Sequence, residues 1–235
     1  MENIDQIRKT SIWIFITPVV VINVCLLISI YGGFLQGTIF QVDAIGRSSF
    51  TIPYIDGGTS ISRASRTYPA YLIFKPGMLI TSILLIKYWL ANNKLISNIN
   101  YSEKNNSFLF FGIGSAIFLI LHSILLGISF EISIYKFFRR FVLLGFIIFE
   151  IIAQALLVIK ILKIKNKIEE FISKKILFLK ILLVSILILV AIASAPILNS
   201  TNFTHFKHAL EWNYFLGVVT FYLLTFLFWK RQKKT

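Results

Sequence analysis

The sequence predicts an all-α, polytopic integral membrane protein: one membrane domain over residues 1–235, with six transmembrane helices and both the N- and C-termini cytoplasmic. Three observations lead there. Of 235 residues, 57% are hydrophobic and only 14% are charged, and the mean hydropathy is +0.79. A water-facing surface cannot be built from so little polar material. The apolar residues fall in six runs, each close to the roughly 20 residues a helix needs to cross a ~30 Å hydrocarbon core. Finally, the 24 lysines and arginines cluster mainly between those runs. The net charge of +14 is therefore a topology signal and an attraction to anionic headgroups, not a nucleic-acid footprint.

The first run, 11–36, follows Arg8 and Lys9. It resembles the charged start of a signal peptide, but it is too long for a cleaved segment and has no small-x-small cleavage site, so it is read as a helix. The second, 69–91, carries Lys75-Pro76-Gly77, where the missing amide of Pro76 predicts a kink. The third, 107–129, contains the small-residue patch Gly112-Ile113-Gly114-Ser115-Ala116, which permits close helix approach. The fourth, 138–162, holds Glu150 and Gln154 one turn apart as an intramembrane polar stripe. The fifth is 176–198. The sixth, 210–229, ends in Lys230-Arg231-Gln232-Lys233-Lys234, a stop-transfer anchor. Cys25, the single cysteine, lies inside the first run and rules out an intrachain disulfide.

With the N-terminus inside, 16 of the 24 cations fall on the cytoplasmic side, including the set from Lys160 to Lys180, against seven outside. Lys75 lies within a span. The positive-inside rule therefore sets the orientation and places the long loop 37–68 outside. Asn199 and Asn202 open two sequons on the same side.

Ionisable groups in a span need an explanation, because each costs ~2.5–3.5 kcal/mol near the bilayer centre on insertion scales. Most here gather towards the outer side. Lys75 and His122 lie in the outer halves of their spans, and His205, His208 and Glu211 open the last helix. His208 and Glu211 are three apart and share a helical face. Glu150, near the midplane, is expected to be protonated or paired with Gln154, tying helices together. The loop adds Thr51-Ile52-Pro53-Tyr54-Ile55-Asp56-Gly57-Gly58-Thr59, with a tight turn at the glycines. Arg63 and Arg66 follow, and their planar forks suit phosphate or carboxylate. These residues are expected to converge on one outer polar cleft. Tyr54, Asp56, Arg63, Arg66, Lys75, His122 and His205 would bind a lipid headgroup there. His208 is the candidate catalytic acid/base and Glu211 its orienting partner. The same residues also read as a capped, headgroup-level helix start with an aromatic belt at Trp212 and Tyr214.

Two segments, Pro53-Tyr54-Ile55-Asp56-Gly57-Gly58 and His208-Ala209-Leu210-Glu211-Trp212, resemble motifs of the DRAM/FRAG/SFK superfamily. This is a superfamily of six-span membrane proteins that includes the GPI-anchor lipid-remodelling factor. Span number, span spacing and the long first outer loop are similar too. The chain departs from that pattern at Asp56, where a serine is usual, at Pro69-Ala70, where an acidic residue often follows the proline, and at Tyr135-Lys136, where a histidine often stands. The resemblance implies a six-helix fold and a lipid-linked role.

The function expected is lipid binding or lipid remodelling through the outer cleft. The alternatives are a non-catalytic scaffold or regulator that holds a protein partner at the outer loop, and then a small-molecule transporter. The inner half reads as almost uninterrupted Ile, Leu and Phe, which disfavours transport. No nucleophile elbow, zinc-protease motif, Walker loop or dinucleotide fingerprint occurs, so no cofactor is expected. His122, His205, His208 and Glu211 could be gathered around a metal, but no spacing enforces one, and none is expected. The partners expected are membrane lipids, with no nucleic acid.

Overall fold

The computed structural model describes residues 2–43, 47–99, 106–128, 133–199 and 202–230. The chain is all-helical: α1 (Glu2–Tyr31), α2 (Ile61–Ser65), α3 (Ala70–Ile99), α4 (Ser107–Leu125), α5 (Ser133–Ile164), α6 (Lys174–Asn199) and α7 (Thr204–Phe228). All but the five-residue α2 are long and apolar enough to cross a membrane. Lys104, Ser200, Thr201 and the tail beyond Lys230, which the orientation and sequon readings used, lie outside the described residues, as do the side chains of Lys136, Arg140 and Asn199.

The six long helices form a closed ring. Each packs on its neighbour in sequence, and α7 returns to pack on α1. The seam between α5 and α6 is the thinnest. Glycines permit the closest approaches. A β-carbon at Gly112 on α4 would overlap the Trp89 ring on α3, and one at Gly77 on α3 would overlap Val21 on α1. The small-residue patch is thus a packing surface for α3, and at Gly114 it also receives Phe149 of α5.

Helix bounds differ from the apolar runs where non-membrane residues prolong a helix. The first helix starts at Glu2 rather than at residue 11, because Ile4 and Ile7 carry its buried stripe outward, and it stops at Tyr31. A 3-10 turn, Gly32–Leu35, follows. The helix runs through Pro76 from Ala70 to Ile99 without a break. α7 begins at Thr204, so His205 and His208 belong to its first turns.

Two charged residues are sealed inside the ring. Glu150 on α5 is 1% exposed. The Ser115 hydroxyl of α4 lies 2.6 Å from its Oε2. Gln154 Nε2 donates to Oε1 at 3.0 Å, and the Tyr222 hydroxyl of α7 donates to the same oxygen. Gln154 Nε2 also reaches the Val218 carbonyl of α7 at 3.2 Å. The Tyr222 ring meets Tyr88 of α3 edge-on at 4.9 Å, and the Tyr88 hydroxyl lies 3.3 Å from Thr225 Oγ1.

Lys180 corrects the charge placement. Counted among the cytoplasmic cations, it is fully buried on α6. Its Nζ donates to Thr225 Oγ1 at 2.9 Å and sits over the rings of Phe221 at 4.1 Å and Phe228 at 5.2 Å. The half of the ring away from the long loop, expected to be almost uninterrupted Ile, Leu and Phe, is therefore not purely aliphatic: Tyr88, Asn92, Lys180 and Thr225 are buried there. Aromatic faces and a hydroxyl are the environment in which a cation can leave water at reduced cost.

Below them, the connection 165–173 is stitched to the end of α7. Ile172 and Trp229 form an antiparallel bridge, with Ser173 N donating to Phe228 O at 2.9 Å and Lys230 N to Phe171 O at 2.8 Å. The Lys174–Glu169 ion pair lies beside it.

Glu150→Leu should leave the Tyr222 hydroxyl without its acceptor, at ~1–3 kcal/mol for the unpaired group, and break the links from Ser115 and Gln154, which keep the Gly112 and Val218 carbonyls. Glu150→Gln keeps the shape and an acceptor oxygen. Thermal unfolding in detergent should therefore show a clear loss for Glu150→Leu and a small one for Glu150→Gln. Equal loss in both would mean that the carboxyl's bonds do not hold these helices together.

Candidate functional site

The segment between the first two spans folds over one end of the ring and docks on α7. Asp56 shapes it. Its carboxylate accepts from Thr51 Oγ1 at 2.5 Å, Gly58 N at 2.8 Å and Ile52 N at 2.9 Å. These bonds, the Thr51 hydroxyl foremost, hold the Asp56 carboxyl below the usual carboxylate range. They close the turn that carries Gly57 at φ +61°, a conformation natural to glycine. Gly57 then lies flat against the His205 carbonyl, where a β-carbon would overlap the oxygen.

Four hydrogen bonds pin this turn to α7. His208 Nδ1 lies 3.0 Å from Gly57 O. Trp212 Nε1 donates to Thr59 O at 2.9 Å, and Asn213 Nδ2 to Tyr54 O at 2.8 Å. Ser62 N, in α2, donates to Glu211 Oε1 at 3.4 Å. Tyr54 packs edge-on against Trp212 at 4.9 Å and donates its hydroxyl to Asn23 Oδ1 of α1 at 3.2 Å. Ser60 caps α2 by accepting from Arg63 N at 3.1 Å.

Beneath α2 lies a cavity of about 90 Å³ inside the ring, bounded by α1, α3, α4, α5 and α7. Its walls are mostly Ile, Leu, Val and Phe. The polar groups that face it are Glu211, His122, Tyr214, Thr81, Tyr222 and Glu150. Among the described residues, no lysine or arginine lines it. His122 is 5% exposed, meets Phe74 edge-on, and its Nδ1 has no hydrogen-bond partner among the described residues. Glu211 and Glu150 make no ion pair among the described residues.

The depths of these groups follow from helix rise. Glu211 and Tyr222 are eleven residues apart on α7, so the Glu150 level, marked by Tyr222, lies roughly 16 Å below Glu211. His122 is seven residues from Ser115 on α4, roughly 10 Å above that level.

The expected cleft is thus present as backbone convergence but not as one cluster of side chains. Asp56 turns onto its own loop. His208 holds Gly57 and is not among the cavity's walls. Glu211 faces the cavity and bonds to Ser62, so it does not orient His208. His205 is exposed in the first turn of α7, with its carbonyl under Gly57. Lys75 lies over the Tyr71 ring at 5.4 Å on α3 and is outside the cavity wall.

Arg63 is exposed on α2, and Arg66 closes that helix half-buried. Burial, followed by the charges of Arg139 and Arg63, holds the Arg66 guanidinium below its usual range. Glu150 and Gln154 lie at the cavity floor and just beyond it.

Sequence reasoning did not assign Ser62, Tyr214, Tyr222 or Arg139 to the site. A signal for two of them existed. Glu211, Tyr214, Phe215, Val218 and Tyr222 recur at three- and four-residue steps, one stripe of α7, and all five line the cavity. The bond from Ser62 depends on a loop crossing 149 residues and has no local signature.

No family model, curated protein or solved structure matches the chain.

Gly57→Ala should detach the turn, because the added methyl meets the His205 carbonyl and the backbone angle is strained. Limited proteolysis between residues 47 and 60 should then accelerate severalfold relative to wild type. The contribution of Asp56 has a defined sign: a depressed folded pKa stabilises above the unfolded value and is lost as pH falls through the folded one. Wild-type resistance should hold at neutral pH and fade only below about pH 4, while Asp56→Ala should be cleaved readily at both. A loop as resistant in Gly57→Ala as in wild type would contradict the docking.

Proposed function

We propose that the chain is a lipid-binding membrane protein, both of whose termini face the cytoplasm. It takes the head of a lipid into the cavity beneath the loop on the outer side. The observation that carries this reading is the roofed cavity itself: an apolar chamber with polar groups at its top, middle and floor, closed by a loop bonded to the last span. A chamber of about 90 Å³ suits a head and its first carbons rather than whole acyl chains. The chains would leave sideways, and the thin α5–α6 seam is the natural exit. The two segments that resemble the DRAM/FRAG/SFK superfamily, around Asp56 and Glu211, are the two that meet at the roof, which supports a lipid-linked role.

Binding, rather than catalysis, is the reading favoured here. His208 spends its Nδ1 on the Gly57 carbonyl and Glu211 is turned away from it, so no acid/base pair is assembled. A second reading has its own support. The loop end exposes Phe34, Ile39, Phe50 and Ile55, with Ile39 82% and Ile55 80% accessible. Such a fringe fits a scaffold that grips a protein partner or seats the loop at the membrane surface.

Two measurements test the first reading. Ser49→Cys, on the exposed part of the loop, should react with an impermeant thiol reagent on intact cells, whereas Lys175→Cys at the opposite end should react only after permeabilisation. The reverse pattern would overturn the orientation. Purified protein should also carry one tightly held lipid by native mass spectrometry, and Val218→Phe, which fills the chamber, should lose it. Equal lipid retention in both would mean the lipid sits around the ring and not inside it.

A further inference from the structure

We propose that the group the cavity receives is a cationic amine, with Glu211 as its counter-charge; this rests on the lipid-binding reading and names its ligand class. The chain is strongly basic, with a net charge of +14, yet among the described residues the chamber at its centre is lined by two carboxyl groups, one imidazole and no lysine or arginine. Positive residues stay outside it: Lys75 lies over Tyr71, Arg63 and Arg66 are on α2, and Lys180 is enclosed by Phe221, Phe228 and Thr225. An anionic head would enter a low-dielectric space lined by acids, with Arg139, whose charge reaches His122, outside its walls. An amine would enter one that lacks only its partner.

Of the two acids, Glu211 has unused capacity. An ionised carboxylate offers about four acceptor positions. Glu150 is already engaged by Ser115, Gln154 and Tyr222, and its site is a joint between helices. Glu211 has two backbone donors in α2, Ile61 N and Ser62 N, the latter at 3.4 Å, which leaves about half of its capacity open, and it makes no ion pair among the described residues. It stands at the top of the cavity, where a head entering from the roof or through a seam arrives first.

The second, independent mark of a ligand is His122. Its Nδ1 faces no partner in a side chain 95% removed from solvent, on the cavity wall roughly 6 Å below Glu211. A buried polar atom without a partner costs stability, and a bound head can supply the bond. The ammonium at Glu211 and a neighbouring hydroxyl, ester or amide at His122 would satisfy both. Below His122 the walls pass to Leu119, Leu85 and Val219, which suit the first carbons of a chain.

The amine can be a simple alkylamine or the headgroup of an aminophospholipid, and the ammonium is common to both. The test is a thermal-shift titration of the full chain in a non-ionic detergent. The probes are dodecylamine, dodecanol and dodecyl phosphate, with lysophosphatidylethanolamine and lysophosphatidylglycerol as a second pair. A charge-assisted bond in a dry site should make dodecylamine bind about tenfold or more tighter than dodecanol, with dodecyl phosphate weakest.

Glu211→Gln should bring dodecylamine down to the level of dodecanol while leaving dodecanol unchanged. His122→Phe should weaken lysophosphatidylethanolamine more than dodecylamine. Glu169→Gln, at the far end of the molecule, should change nothing. Preference for dodecylamine alone assigns a free amine, and preference for lysophosphatidylethanolamine as well assigns a headgroup; either supports the proposal. Equal binding of amine, alcohol and phosphate, with lipid still held by wild type and lost in Val218→Phe, overturns the amine and leaves the lipid site standing. Should Glu211→Gln fail to fold, Glu211→Asp, which keeps the charge and withdraws it from the chamber, should retain the amine preference at reduced strength; a preference for dodecanol there overturns the proposal.

Discussion

Hydrocarbon offers no hydrogen bonds, so a polar group inside a membrane bundle must find its partners within the chain. Glu150 is the severest instance here. Its carboxyl draws Ser115 from α4, Gln154 from its own helix and Tyr222 from α7 to one point. Tyr222 leans on Tyr88 of α3, and Tyr88 shares Thr225 with Lys180 of α6. A continuous set of hydrogen bonds and ring contacts thus crosses five of the six long helices, and α1 joins separately, by glycine packing and by Arg8 Nε on Phe226 O and Cys25 Sγ on Ala70 O, each at 3.4 Å. Isolated helices in lipid have little reason to choose one neighbour over another, and small residues and polar joints supply that choice. The arrangement of the ring, and hence the chamber at its centre, depends on this joint.

The roof is organised on a different principle. It lies at the end of the ring, where backbone groups compete with water or headgroups for partners. The loop satisfies its own carbonyls on side chains of α7: Gly57 on His208, Tyr54 on Asn213, Thr59 on Trp212. α7 contributes long polar or amphipathic side chains, and the loop contributes backbone. That division explains why Gly57 and Gly58 stand in the loop, while His208, Trp212 and Asn213 stand in the first turns of the helix.

Much of this was readable from the sequence because membrane helices announce themselves locally. Each span is a run of apolar residues, and Glu150 with Gln154 is a polar stripe whatever packs against it. The loop and the start of the last span stood out by composition. What could not be read was direction. Glu211 and His208 share a helical face by spacing, yet one turns into the ring and the other up to the loop, because a carbonyl 151 residues away claims His208. Lys180 shows the same limit more sharply. A lysine seven residues into a helix that starts with Lys174-Lys175 reads as one more surface charge. It is buried because Thr225, Phe221 and Phe228 come from another helix to enclose it. Residues 2–10 likewise fall outside the first apolar run, although Ile4 and Ile7 extend the buried stripe of α1 through them.

The small bridge between Ile172 and Trp229 has a mechanical consequence. It fastens the α5–α6 connection to the foot of α7 by two backbone bonds, at the end of the ring away from the loop. The weakest seam of the ring is therefore clasped at its base. If α5 and α6 part, they cannot slide apart in parallel. They must swing like the covers of a book held at the spine, opening widest beside the chamber and scarcely at all at the far surface. The clasp thus turns the thinnest seam into a hinge, with any opening confined to the end of the ring that holds the chamber.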